Sequence, residues 1–118
     1  MDAIQEKSRE IGRLLVQTPE YQALKRANAR LSDDRETVTL LNDLSALEGE
    51  VAAALQSGRE PEPEQQTQYE ELIERLQQRS IYQEVVSAQS NFERIMVRIN
   101  EEIARGIEAG EQSRIILP

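Results

Sequence analysis

Apolar positions near the end of the chain recur at three- and four-residue steps: Ile81, Val85, Ala88, Phe92, Ile95, Met96, Ile99, Ile103 and Ile107. This spacing predicts one long helix over 80–109 with an apolar stripe along one side. No proline interrupts it, and Gly106 is its only glycine before Gly110. About 28 helical residues extend roughly 42 Å at 1.5 Å per residue. A compact body of 118 residues has a radius of gyration of about 13–14 Å, and so a diameter of about 35 Å. The predicted helix overhangs such a body. Its stripe requires another surface, most cheaply a second copy of the same chain.

Shorter helical patterns fill the rest. Ile4, Ile11, Leu14 and Leu15 mark a first helix over 3–17, with Asp2 as its N-cap. Thr18-Pro19-Glu20 is a restart signal: Thr18 caps, Pro19 suits the first helical position, and Glu20 meets the positive end of the helix dipole. The second helix turns Tyr21, Leu24, Ala27 and Leu31 inward. Asp33 followed by Glu36 fits an acidic capping box for a third helix, which runs to about Ser57 and stops at Gly58. Leu40, Leu44, Leu47, Val51 and Leu55 form its stripe, widened by Val38 and Leu41, as suits bundle packing. Gly49, inside this helix, reads as drift rather than a close-approach site. Arg59-Glu60-Pro61-Glu62-Pro63-Glu64 is a wet loop. A fourth helix over 63–79 brings Tyr69, Leu72, Ile73 and Leu76 inward, and Ser80 with Gln83 forms a capping box for the fifth. No proline enforces that last break, so helices four and five are either separate or continuous.

The expected fold class is therefore all-α: a long antiparallel helical hairpin or bundle with short N-terminal helices, assembling as an oligomer. Residues 1–118 form a single domain by length. It comprises short helices over 1–31, a long helix over 33–57, a loop over 59–64, a helical C-terminal half over 63–109, and a frayed tail over 111–118.

Composition agrees and removes several chemistries. Hydrophobic residues make up 38%, aromatics 3% and charged residues 31%, a thin core supply against the usual 45–50% or so. With no Cys and no His, disulfides, thiolate nucleophiles, cysteine-ligated metals and the commonest general base are absent. No stretch has the length and apolarity of a signal peptide or a membrane span. The expectation is a cytoplasmic protein that does not engage membranes. Net charge is −8 overall. Residues 1–31 hold six Lys/Arg and four Asp/Glu, 32–80 hold four and twelve, and 81–118 hold four and six. The acidic middle opposes direct nucleic-acid binding.

Three groups of side chains invite a chemical reading. Glu60, Glu62 and Glu64 lie at period two in a proline-rich loop without ligand spacing, which favours a solvated linker over a metal site. Arg9 and Arg13 stand four residues apart, as do Arg26 and Arg30; with Lys25 they could merge into an anion patch if the two helices form a hairpin, and pairing with Glu6, Glu10 and Glu20 is the simpler expectation. Phe92 and Met96 fit core or interface better than a ligand pocket. No catalytic, cofactor-binding or metal-binding residue is assigned, and no cofactor is expected. The helix-packing interface set is Val85, Phe92, Ile95, Met96, Ile99 and Ile103. With Phe92 and Ile99 facing a second subunit, Phe92→Ala should cost about 3–5 kcal/mol and shift the chain toward monomer.

Thr18-Pro19-Glu20-Tyr21-Gln22-Ala23-Leu24-Lys25, then Ser32-Asp33-Asp34, then Leu40-Leu41-Asn42-Asp43-Leu44, Gly58 after the third helix, and finally Val85-Val86-Ser87-Ala88-Gln89-Ser90-Asn91-Phe92 follow in a characteristic order. This pattern, over about residues 4–108, resembles the YlbF/YmcA-like family of small helical bacterial regulatory proteins, and its short, cysteine-free branch in particular. The resemblance implies long antiparallel helices and oligomeric assembly without catalysis. It also implies a role in a complex that modulates a ribonuclease, and through it RNA maturation, competence, biofilm formation and sporulation. Iron–sulfur clusters bound by cysteines in some members do not carry over, since these residues include no cysteine.

The expected function is thus that of a non-catalytic regulatory adaptor, homo-oligomeric, with a protein partner in RNA decay. The rival is a small all-helical enzyme of chorismate-mutase type, holding a dianion electrostatically with Arg9, Arg13, Lys25 and Arg26. It requires several cations converging in a buried pocket, whereas their spacing puts these on outer faces. An acidic mimic of nucleic acid is a third, weaker reading, since it rests on charge alone.

Overall fold

The computed structural model describes residues 1–116, and no strand occurs among them. Five helices follow in order: α1 (Asp2–Val16), α2 (Pro19–Ser32), α3 (Arg35–Gln56), α4 (Pro63–Gln78) and α5 (Ser80–Ile116). The helix ends follow local chemistry. Thr18 Oγ1 accepts the Tyr21 N–H at 3.2 Å, and Pro19 sits at the first position of α2. Gly58 has φ +76° and ends the α3 segment in the left-handed region that glycine tolerates best. At α4, Gln65 Oε1 accepts the Glu62 N–H at 3.0 Å.

Four boundaries differ from the sequence-based expectation. α1 begins at Asp2 itself with Met1 as N-cap, so Asp2 meets the dipole from within the first turn. Asp34, not Asp33, caps α3: Asp34 is extended and its Oδ1 accepts the Thr37 N–H at 3.2 Å, while Asp33 still closes α2. The Ser80–Gln83 box is not formed. Arg79 is the single extended residue between α4 and α5, and the Gln83 N–H donates to its carbonyl at 3.1 Å. Finally, α5 passes through Gly106 and Gly110 to Ile116, where the pattern suggested an end at Gly110 and a frayed tail. Each glycine costs about 1 kcal/mol in a helix, and with no proline between Ser80 and Pro118 nothing stops propagation. The rest of the proposed tail, residues 117–118, lies outside the described residues.

Two packed units result. α2 runs antiparallel to the first half of α5: the Tyr21 ring meets Phe92 (centroids 5.8 Å apart, tilted 60°) and Arg30 pairs with Glu84 at 2.8 Å. Between those points Ala27, Val85 and Ala88 form a buried cluster, with Leu24 and Leu31 packed against it. α3 and α4 form an antiparallel hairpin closed by the 57–62 turn, with Leu40, Leu47 and Leu76 buried. α1 packs sparsely, chiefly on α2, and contributes no buried residue.

The shape is extended. The radius of gyration is 21.1 Å and the principal extents are 67 × 38 × 23 Å, far above the value of about 13–14 Å for a compact chain of this length. The 37 residues of α5 are about 55 Å long at 1.5 Å each. The accessible surface is 9567 Å² for a 13.5 kDa chain, against about 6,500 Å² for a compact monomer of that mass.

Candidate interaction face

The stripe on α5 is used unevenly. Ile81, Val85 and Ala88 are buried under the chain's own helices. Phe92, Ile95 and Ile99 are half-buried. The other distal positions of the stripe face solvent: Met96, between Ile95 and Ile99, is 40% exposed, and farther on Ile103 is 52% and Ile107 62% exposed. Val97, off the stripe, is also exposed. The expected interface set therefore splits. Val85 is a core residue that no partner can reach. Phe92 already meets the Tyr21 ring in a tilted contact. Ile95, Met96, Ile99 and Ile103 remain available along the distal half.

α1 lies beside that half without covering it. A shallow groove runs between the two helices, with Ile11 on one side and Ile95, Ile99 and Ile103 on the other, flanked by Arg98 and Glu102. The α1 face continues it with Ile4 and Leu14, both more than 60% exposed. Every helix of this groove satisfies its own backbone, so the face offers side-chain contact rather than strand-like hydrogen bonding. Its chemistry is apolar area with a thin charged rim, which is what helix-on-helix association buries.

A second construction holds the two units at their angle. The Arg79 guanidinium spans the start of α3: Nη2 donates to both oxygens of Asp34 at 2.9 Å, Nη1 donates to Glu36 Oε2 at 2.9 Å, and Nε donates to Thr37 Oγ1 at 3.2 Å. Thr37 is fully buried. The Thr37 N–H bond first, then the Arg79 contacts, hold the Asp34 carboxyl below its usual range, against some opposition from burial. Sequence reading missed this clasp. An arginine and an aspartate 45 residues apart leave no periodic mark, and the pattern places Arg79 only at the end of the fourth helix.

The basic residues do not converge. Arg9, Arg13, Lys25, Arg26 and Arg30 are all exposed. Among the described residues only Arg30 of these forms an ion pair, and its partner is Glu84 rather than Glu20. The polar depression beside the clasp sets Arg75 and Arg79 against Glu36 and Asp43, so its charges already balance. A dianion finds no buried ring of cations there. No group of three or more His, Cys, Asp or Glu side chains assembles as a metal site among the described residues, and no helix is long and apolar enough to cross a membrane.

The comparisons with known proteins point one way. Residues 4–108 match the profile of the family described as control of competence regulator ComK, YlbF/YmcA. The chain belongs to the YlbF/YmcA family. Two UPF0342 proteins are similar: one from Streptococcus gordonii, 29% identical over 89 residues (75% of this chain, 80% of that protein), and one from Streptococcus mutans serotype c, 28% identical over 94 residues (74% and 83%). Bacillus subtilis RicA, whose crystal structure was solved in complex with RicF, superposes with a TM-score of 0.77 over 92% of this chain and 96% of that one. At 14% identity this likeness is one of fold. The all-helical architecture and the regulatory description of the family agree with the sequence reading.

Proposed function

We propose that this YlbF/YmcA-family chain is a non-catalytic regulatory adaptor that self-associates through the α1/α5 face. The carrying observation is the solvent exposure of Met96, Ile103 and Ile107 on a stripe whose first half is core. The area supports it: the chain exposes about 3,000 Å² more than a compact monomer of its mass, and a standard interface buries about 1,600 Å² in all. By family kinship the adaptor acts in a developmental or RNA-processing programme through protein contacts, with a partner in RNA decay. RicA was crystallised with RicF, which favours a protein partner over a small-molecule substrate. The lack of a cationic pocket weighs against the mutase alternative.

Sedimentation or light scattering of purified protein tests the association. The expected mass is that of a dimer or higher, falling to a monomer in a Met96→Asp, Ile103→Asp double variant that keeps its helical circular dichroism. A wild-type monomer at micromolar concentration, or an unchanged mass in the double variant, would overturn the proposal. A pull-down from native lysate, probed for ribonucleases, tests the partner.

A further inference from the structure

A second apolar groove lies at the other end of the molecule, between α3 and α4 near their connecting turn. Leu47, Val51 and Leu55 line one wall, and Pro61, Gln65 and Tyr69 the other. Its origin is a mismatch in sequence. α3 keeps its apolar stripe to its last turn, whereas α4 opens with Glu64-Gln65-Gln66-Thr67-Gln68 and offers nothing apolar before Tyr69. Burial therefore fades toward the tip. Leu47 is buried, Val51 is half-buried, and Leu55 is 58% exposed. Leu47 to Leu55 covers about 12 Å along α3, room for roughly two turns of a docked helix.

Glu48 lines this groove, and Glu60, Glu62 and Glu64 stand next in sequence to its lining residues Pro61 and Gln65, against Arg59 as the only cation of the connecting turn. None of these four glutamates is in an ion pair among the described residues. An apolar floor at an acidic tip selects a complementary ligand. We infer that the α3/α4 tip is a docking groove for a basic amphipathic helix of a partner protein. Apolar anchors at three- and four-residue spacing would lie on Val51 and Leu55, while flanking Lys or Arg meet the glutamates. This site is separate from the α1/α5 face and stands whether or not that face self-associates.

The test uses the full chain and a fluorescent synthetic Leu/Lys amphipathic helix of about four turns, with a Leu/Glu helix of the same pattern as control. The Leu/Lys probe is expected to bind and the Leu/Glu probe not to bind. Val51→Asp with Leu55→Asp should weaken binding at least about tenfold, although it makes the tip more acidic. Ile103→Asp on α5 should leave it within about twofold. Amide shift perturbations should gather on α3 and α4 around Leu55 and Tyr69, which localises the site independently of any variant. Equal or tighter binding to the doubly acidic variant would show mere charge attraction and overturn the inference. So would no binding of the Leu/Lys probe to the wild-type chain, or shifts gathered on α1 and α5. A loss of assembly mass in the Val51→Asp, Leu55→Asp variant would assign the groove to a second copy of this chain, and would overturn it equally.

Discussion

Between Ile81 and Ala88, α5 lies under α2, and its apolar side chains are core. Between Met96 and Ile107 the same helix carries the same kind of side chain at the same spacing, with only the loosely packed α1 beside it; Met96, Ile103 and Ile107 are exposed and Ile99 is half-buried. Periodicity is identical in the two halves. What differs is whether the chain supplies a cover. α2 is 14 residues long, about 21 Å, and so masks less than half of α5. Amphipathicity identifies the face of a helix that seeks burial; the length of its neighbours decides how much is buried within one chain.

One substitution placed in each half separates them most sharply. Val85→Asp puts an unpaired charge into the Ala27–Ala88 cluster and should cost about 3–5 kcal/mol. Ile103→Asp, measured in dilute monomer, should change stability by no more than about 0.5 kcal/mol. Urea unfolding reads both, and equal costs would erase the distinction. The α3/α4 hairpin supplies a reference for a fully covered position: Leu76 has no exposed surface, so Leu76→Ala should cost about 2–5 kcal/mol. Phe92 sits at the boundary between the halves. It is half-buried and its ring meets Tyr21, so Phe92→Ala should cost about 2 kcal/mol in the monomer, below the range for a fully covered ring. A larger loss that appears only at concentrations supporting assembly would mark it as shared with a partner.

Smaller effects sharpen the contrast with ordinary surface. A Cβ added at Gly49 meets nothing within 4 Å, so Gly49→Ala should stabilise by about 0.5–1 kcal/mol. Thermal unfolding checks this, and no gain would point to a role for that open backbone. The clasp predicts a pH signature. Asp34 titrates below its ordinary 3.8 in the folded chain. Its contribution is therefore complete above the unfolded value and disappears as pH falls through the folded one. Asp34→Asn should be less stable than wild type at neutral pH, with the gap closing in acid. A gap that stays constant with pH would remove the carboxylate from the account.

Much of this was legible in the residues. The five helices, the Thr18-Pro19 restart and the Gly58 stop rest on rules acting within four or five positions, and the structure follows them. The overhang of α5 followed from its length against that of a compact body. Boundaries such as Asp33 against Asp34, or Ser80 against Arg79, turn on which of two adjacent polar residues becomes extended, and the capping pattern does not choose between them. Val85 could not be distinguished from Ile103, because coverage by α2 is a tertiary fact. The groove at the α3/α4 tip left a faint trace: an apolar stripe on α3 facing five polar residues at the start of α4. That trace is visible only once the two helices are known to be antiparallel.

The junction at Arg79 has a mechanical consequence. One extended residue joins α4 to α5, and its guanidinium is bolted to the opening turn of α3. The base of the long rod is thereby tied to the hairpin at a single corner, and the bearing of one limb on the other is decided there.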